Sequence, residues 1–293
     1  MMGASTAAWG GVARSEAASA AEYAYLRQLV FEQSQNVLDA SRDYLFETRL
    51  SRLLRAHGMT HLEELVQLLK VKRSAPLARS VAEAMTINET SFFRDGRPFE
   101  LLRTELLPRL IEARRTTRRL RFWSAACSTG QEAYSLAMLL REHFPALDGW
   151  DVVIEGTDFC GEVVGRAQSG RYQRIEINRG LRARHIVTYF DHADEEWTVK
   201  PELKRMCRFR QANLCASNLP FSETFDVVML RNVMLYFNQE TRKRLLKQVR
   251  RLLANDGVLF LGSAEQPTDM TLWTSVLAGG TAHYLPKAMS GSR

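Results

Sequence analysis

The 293-residue chain lacks the features that mark several common classes of protein. No apolar run approaches the roughly 18 residues that a membrane-spanning helix needs. The four cysteines show no C-x-x-C spacing, and their scatter predicts reduced thiols in a cytoplasm. Residues 1–21 are rich in alanine, serine and glycine, without a basic start before an apolar block. This start disfavours a secretory signal and predicts a disordered tail.

The chain also lacks a recognisable catalytic pair and a metal-ligand motif. Its six histidines lie outside the polar segments described below, and no spacing matches a metal site. Neither G-x-G-x-x-G nor a Walker loop is present, which disfavours a phosphate-binding loop. The formal charge of +7 predicts an acidic partner, with nucleic acid, a protein surface and a membrane face all open at this point.

Residues 22–87 predict a small all-helical domain, because apolar residues recur there at helical spacing without a strand signal. Gly58 is typical of the end of the second helix, and Thr60 with Glu63 resembles a capping box that opens the third. Three periodic sets carry the pattern: Leu26, Leu29 and Val30; Phe46, Leu50, Leu53 and Leu54; and Leu62, Leu65, Val66, Leu68 and Leu69.

Four arginines lie beside the apolar face of the second predicted helix and fan over one flank: Arg42, Arg49, Arg52 and Arg55. A solvated helix face is the commoner explanation of such a flank. The alternative is a docking surface for an acidic helix.

Beyond a linker at residues 88–112, the pattern changes to strands alternating with helices over residues 113–287. This alternation predicts a parallel, doubly wound α/β sheet, followed by a tail at residues 288–293. Residues 170–206 interrupt it and predict an inserted small antiparallel β-subdomain. The predicted strands span residues 120–126, 152–157, 207–212, 225–230, 257–262 and 282–285, and the predicted helices residues 130–141 and 241–253.

Polar residues follow the first two predicted strands, at the edge where open α/β sheets bind ligands. After the first strand, small residues run into Gly130 and Glu132 at a helix start, which suits a nucleoside ligand without phosphates. Asp158 follows the second strand and can accept hydrogen bonds from ribose hydroxyls. The alternative is that it only caps the next helix.

The next two strands end in the same way. Asn213 and Leu214 follow the third, although asparagine is common in such turns. The fourth strand is followed by the cation Arg231, the amide Asn232 and the phenol Tyr236. Methyl transfer to a carboxylate would be consistent with the missing catalytic base, because that acceptor is already ionised near neutral pH.

Five stretches resemble, in order and spacing over about residues 22–287, the chemotaxis receptor methyltransferase family CheR. They are residues 88–94, 123–135, 156–158, 231–237 and 257–265. The resemblance implies a helical N-terminal domain, a linker and a Rossmann-like class I methyltransferase domain with an inserted β-subdomain. It implies S-adenosylmethionine as cofactor, S-adenosylhomocysteine as product, and methylation of glutamates on the cytoplasmic helices of chemoreceptors.

The resemblance also implies roles for individual residues. Arg94 and Tyr236 would face the methyl-accepting glutamate, and the arginine flank would meet acidic receptor helices. Cofactor contacts are implied for nine residues: Asn88, Thr90, Arg94, Glu132, Asp158, Asn213, Leu214, Arg231 and Asn232.

Two segments depart from the family pattern. Gln131 and Ala133 replace a more usual acidic residue and proline, which leaves Glu132 intact. In some members a glycine-containing loop of the insertion binds a pentapeptide at the receptor tail. Here residues 190–197 are shorter and contain no glycine, so we expect an enzyme that does not depend on that tether.

We therefore expect a cytoplasmic monomer that neither inserts into a membrane nor binds nucleic acid. Two alternatives remain. One is a methyltransferase for a different acidic protein or for RNA, although the Asn-Pro-Pro-Tyr type motif of adenine methylation is missing. The other is a cofactor-binding signalling module without activity, which the presence of Arg94 and Tyr236 disfavours.

Overall fold

A computed structural model describes residues 18–288, so most of the tails expected at residues 1–21 and 288–293 lies outside the described residues. The first helix starts at Ala20, two residues before the predicted helical domain. Ser19 caps it, because its side chain accepts a hydrogen bond from the Glu22 amide while the Glu22 carboxylate accepts one from the Ser19 amide.

Four α-helices and a 3₁₀ turn form the N-terminal unit. They are α1 (Ala20–Ser34), the turn Ala40–Arg42, α2 (Tyr44–Ala56), α3 (Leu62–Lys72) and α4 (Ala75–Ala84). All three predicted apolar sets pack here, and α4 adds a fourth apolar face with Leu77 and Val81. Gly58 does follow α2, with φ of 68°. The predicted capping partner Glu63 is wrong, because the Glu64 carboxylate accepts from the amides of Thr60 and His61.

The linker continues into helix α5 (Arg97–Leu101), a π-helical turn (Leu102–Leu106) and α6 (Leu107–Ala113). Phe99, Leu102 and Leu107 from this stretch are buried against one face of the main sheet. The linker is thereby fixed to the α/β unit.

A seven-stranded sheet organises the rest of the chain, in the order β6-β2-β1-β7-β8-β10-β9. Its strands are β1 (Arg119–Ala125), β2 (Asp151–Asp158), β6 (Cys207–Gln211), β7 (Phe225–Leu230), β8 (Leu253–Leu261), β9 (Trp273–Ala278) and β10 (Thr281–Pro286). Helices α7 (Gln131–His143), α8 (Gly161–Ser169) and α12 (Gln239–Leu252) connect them. Apolar clusters cover both faces of the sheet, which confirms the doubly wound class.

The expectation of a wholly parallel sheet is wrong at one edge. β10 runs antiparallel to both β8 and β9, and β9 was not predicted. Gly279 and Gly280, with φ of 55° and 70°, form the two-residue connection between β9 and β10. Two successive residues with positive φ are typical of a tight hairpin, which returns the chain antiparallel to itself.

The insertion forms its own three-stranded antiparallel sheet, in the order β3-β5-β4, as expected. Gly180 lies against the linker, where a Cβ would come within 1.9 Å of the Phe92 carbonyl oxygen. The Phe92 ring meets Tyr172 and Phe190 edge-on. The insertion comprises β3 (Arg171–Gln173), α9 (Arg174–Ile177), α10 (Ala183–Tyr189), β4 (Phe190–Ala193), β5 (Glu196–Val199) and α11 (Pro201–Lys204).

The helical unit docks beside the carboxyl edge of the main sheet. The Glu83 carboxylate accepts hydrogen bonds from the Gly161 amide at 3.1 Å and from the Gln211 side chain at 2.7 Å. The Val37 amide donates to the Tyr236 carbonyl at 2.9 Å. Within residues 18–288, no helix combines the length and apolar character that crossing a membrane requires.

Candidate active site

A cleft opens at the carboxyl ends of β1, β2, β6 and β7, between the sheet, the linker and the end of α1. The structure brings all nine predicted cofactor residues, together with Tyr236, to its walls: Asn88, Thr90, Arg94, Glu132, Asp158, Asn213, Leu214, Arg231 and Asn232. Side chains from the linker and from four strand ends therefore meet in one place, although they are far apart in sequence.

The loop after β1 adopts left-handed backbone conformations, with φ of 62° at Ala126 and 51° at Ser128. Such conformations are costly for residues other than glycine and cluster at functional sites. The Ser128 amide donates to Asp158 at 2.9 Å, and its hydroxyl donates to the Asn88 carbonyl at 2.7 Å. Ser128 was not predicted as a site residue, although it lies in the predicted small-residue loop.

The Asp158 carboxylate is buried at the end of β2. It also accepts a hydrogen bond from the Cys160 amide at 3.0 Å. The N-cap of α8 is Cys160, so the alternative in which Asp158 caps this helix is wrong. Burial raises the pKa of Asp158, while the backbone amides of Cys160, Ser128 and Phe159 oppose that rise. A carboxylate can accept about four hydrogen bonds, so capacity remains for at least one hydroxyl group of a ligand.

Arg231 is a deeply enclosed charged group of the cleft, with 2% of its side chain exposed. Its guanidinium donates to Glu132 at 2.9 Å and to the Arg94 carbonyl at 2.8 Å, and it pairs with Asp95. The Arg231 Nε is buried and has no hydrogen-bond partner within residues 18–288. Asp95 was not predicted, and its place next to Arg94 in the sequence was the available signal.

Glu132 and Asn213 are held by other parts of the fold. The second carboxylate oxygen of Glu132 accepts from the Ser124 hydroxyl at 2.7 Å. The Asn213 side chain donates to the Gln33 carbonyl at the end of α1 at 2.9 Å. Each side chain is therefore fixed before any ligand arrives.

Tyr236 is partly buried and lies among cations. Burial raises the pKa of its phenol, while the positive charges of Arg94, Arg42 and Arg49 oppose the rise. The Arg94 guanidinium donates to the Glu89 carbonyl at 3.1 Å. The structure thus brings the two predicted acceptor-facing residues to the wall of one cleft.

The four arginines of the predicted flank are not equivalent. Arg42, Arg52 and Arg55 are exposed, and Arg52 pairs with Glu162 of α8 at 3.1 Å. Arg49 is partly buried and donates to the carbonyls of Met85 and Thr86, at 3.0 and 2.9 Å. Its guanidinium ties α2 to the start of the linker.

A mainly parallel sheet with an antiparallel end, and a cleft at its carboxyl edge, define a class I S-adenosylmethionine-dependent methyltransferase. Residues 21–86 match the CheR methyltransferase all-alpha domain, and residues 88–282 match the CheR methyltransferase SAM-binding domain. The chain belongs to the CheR methyltransferase family.

Curated relatives resemble the chain over most of its length. Chemotaxis protein methyltransferase 1 of Pseudomonas aeruginosa is 38% identical, over 85% of this chain and 91% of that protein. Chemotaxis protein methyltransferase Cher2 of Pseudomonas putida is 36% identical, over 78% and 84%. The Escherichia coli chemotaxis protein methyltransferase is 33% identical, over 92% and 93%. These matches confirm the resemblance to the CheR family that the sequence motifs indicated. They also confirm what it implied, namely S-adenosylmethionine as the cofactor and methylation in chemotaxis as the activity.

Proposed function

We propose that the protein methylates glutamate side chains on the cytoplasmic helices of chemoreceptors. The observation that carries the proposal is that Arg94 and Tyr236 lie together in the wall of the cofactor cleft, where the positive charges of Arg94, Arg42 and Arg49 oppose the rise in the pKa of the Tyr236 phenol. A cation beside a hydrogen-bond donor suits a carboxylate acceptor. It does not suit a neutral amine or a nucleobase.

The residues of the cleft fit S-adenosylmethionine. The buried Asp158 carboxylate has acceptor capacity for ribose hydroxyls, and the unpartnered Nε of Arg231 is a buried donor for an anionic group. We assign cofactor contacts to the nine residues predicted from the sequence, Asn88, Thr90, Arg94, Glu132, Asp158, Asn213, Leu214, Arg231 and Asn232, all of which line the cleft.

When bound, the cofactor supplies an activated methyl group on a sulfonium centre. The chain has to hold and orient the acceptor, because a glutamate carboxylate is ionised near neutral pH and needs no base. In our proposal Arg94 binds that carboxylate through charge-assisted hydrogen bonds, and the Tyr236 hydroxyl orients it. The product ester is neutral, so its attraction to Arg94 weakens and release is favoured.

The exposed arginines outside the cleft suit the rest of the substrate. Arg42, Arg52 and Arg55 present positive charge on the helical unit, and Arg42 also contributes to the electrostatic field at Tyr236. An acidic receptor helix lying along this flank would bring a glutamate to the cleft. The proposed substrate implies a cytoplasmic protein, and we continue to expect a monomer without membrane insertion or nucleic-acid binding.

We further propose that a receptor pentapeptide is not required. The β4–β5 hairpin, where a tethering loop would lie, is closed by the short turn Asp194 and Glu195. The Trp197 ring is stacked on His192, with ring centroids 4.2 Å apart. This short acidic turn has no glycine-containing loop of the kind that binds the pentapeptide in some members of the family.

The test uses the full chain, labelled S-adenosylmethionine and two receptor cytoplasmic fragments, one with and one without its C-terminal tail. We expect base-labile label, as an ester gives, on both fragments at similar rates. Alkali-stable label, or no label on a competent receptor, would refute glutamate methylation. Label confined to the fragment with its tail would refute tail independence. Label on RNA instead would establish the nucleic-acid alternative.

A further inference from the structure

One segment links the cofactor residues to the acceptor residues, and we call it the Tyr236 loop, residues 231–237. It begins with Arg231 at the end of β7 and ends just before α12. Asn232 is in the left-handed conformation with φ of 59°, and a 3₁₀ turn spans Met234–Tyr236. The backbone of this loop therefore sets the distance between Arg231 and the Tyr236 phenol.

A carboxylate outside the cleft holds this backbone. One oxygen of Glu265 accepts hydrogen bonds from the Asn232 amide at 2.8 Å and from the Gly262 amide at 2.7 Å. The other oxygen accepts from the Leu235 amide at 3.1 Å. Hydrogen bonds from backbone amides to a charged carboxylate are stronger than those to neutral acceptors.

The turn that carries Glu265 is shaped for this contact. A Cβ on Gly262 would lie 2.7 Å from the Glu265 carboxylate and 2.9 Å from the Asn232 nitrogen. Any larger residue at position 262 would force the turn and the Tyr236 loop apart. The Glu265 amide in turn donates to the Gly262 carbonyl at 2.9 Å, which closes the turn.

Apart from the Arg231 side chain, two further groups outside the loop bind its backbone in the described part of the chain, and both bind carbonyl groups. The Val37 amide donates to the Tyr236 carbonyl at 2.9 Å, and the Arg242 side chain donates to the Met234 carbonyl at 2.8 Å. Without Glu265 the carbonyl ties would persist while the Asn232 and Leu235 amides lost their acceptor. The loop would then be anchored at its far end but would have no fixed position beside Arg231.

We propose that Glu265 is a positioning residue for methyl transfer, which fixes Tyr236 relative to the cofactor without touching either reactant. The inference rests on the proposed function for the role of Tyr236. It assigns to Glu265 an effect on turnover that is separate from cofactor affinity.

The variants Glu265→Gln and Glu265→Ala test it, because glutamine places a donor where one carboxylate oxygen accepted. Asp269→Asn is the matched control, since Asp269 also accepts from a backbone amide but lies outside the loop contacts. We expect Glu265→Gln to lower kcat for a receptor fragment about 10- to 100-fold, and Glu265→Ala to lower it further. The affinity for S-adenosylhomocysteine, measured by calorimetry, should stay within about threefold.

Hydrogen exchange of residues 231–237 supplies a readout that needs no methyl acceptor. Both Glu265 variants should accelerate exchange there, whereas Asp269→Asn should not. Unchanged exchange together with wild-type kcat would overturn the inference, and so would equal losses of kcat and cofactor affinity. If the wild-type protein labels no receptor glutamate, the proposed function fails, and the exchange result alone decides whether Glu265 holds the loop.

Discussion

The charged residues on the two sides of the cleft differ in how far they are buried and in how many partners they have. We call Glu132, Asp158 and Arg231 the inner wall, where each charge is mostly enclosed and partnered by other groups of the chain. We call Arg42, Arg52, Arg55 and Arg94 the outer rim. Arg52 of the rim has 80% of its side chain exposed, and the Arg94 guanidinium makes a single hydrogen bond within the described residues.

The difference follows from what each side has to bind. A small cofactor is held best by groups fixed in advance, because little ordering entropy is then lost on binding. A receptor helix meets the protein over a broad surface, where exposed and mobile cations steer association and keep their hydration until contact. Each of the following predictions separates the two sides by a different measurement.

The largest effect should come from Arg94→Ala. Loss of the cation that holds the acceptor carboxylate should lower kcat by about 10²- to 10³-fold, while the affinity for S-adenosylhomocysteine changes far less. Steady-state kinetics and calorimetry measure the two quantities. Arg97→Ala is the matched control, because Arg97 is exposed and bonds the Gly280 carbonyl instead. Equal losses of turnover and cofactor affinity would place Arg94 on the inner wall.

Asp158→Asn should show the opposite pattern. Replacing the buried carboxylate should weaken cofactor affinity about 10- to 100-fold, because hydrogen bonds to charged groups contribute about 1.5–3 kcal/mol. At saturating cofactor, kcat should remain near that of the wild type. A normal dissociation constant with reduced kcat would contradict the assignment of Asp158 to the ribose.

Arg52→Ala and Arg55→Ala should act on the receptor alone. Exposed charge pairs contribute little individually, so we expect the KM for a receptor fragment to rise about two- to fivefold for each variant. The difference from wild type should shrink as salt is added, since exposed charges are screened. Arg251→Ala, an exposed arginine at the end of α12, serves as the control and should leave KM unchanged.

We expect the smallest effect from His185. Its ring stacks on Phe93, the residue before Arg94 of the outer rim. Burial lowers the pKa of His185 below its usual value, although Glu142 opposes the change. As pH falls through about 6.5, the unfolded chain therefore takes up the proton first and the folded state loses stability. His185→Asn should give a flatter dependence of Tm on pH below that point, and identical slopes would contradict the assignment.

Local sequence signals predicted the elements that bury a continuous apolar run. The strand at residues 225–230 matches β7, because all six of its residues are buried. β9 is a short edge strand in which polar and apolar residues do not alternate, so its pattern was too weak to predict. The choice of Glu63 over Glu64 failed because the cap begins one residue later than the motif suggests.

Local sequence patterns likewise predict some residues of the site and not others. Asp158 and Arg231 could be predicted because they follow buried strands, where ligands bind in this class of sheet. Ser128 and Asp95 act through contacts with distant parts of the chain, such as the Asn88 carbonyl and Arg231. Glu265 stood in a recognised stretch, but its hold on another loop depends on β7 and β8 being neighbours in the sheet. No local pattern encodes such contacts.

The contact between α1 and the start of α12 also has a kinetic consequence. Thr241 donates to Gln35 across 206 residues of chain, beside the pairing of Asn36 with Phe237. Contacts between residues so distant in sequence form late, because each half has to be ordered before they can be made. During synthesis, we therefore expect the helical unit to fold first and the α/β unit to fold later. Cofactor binding should appear only after the two units have together formed the cleft.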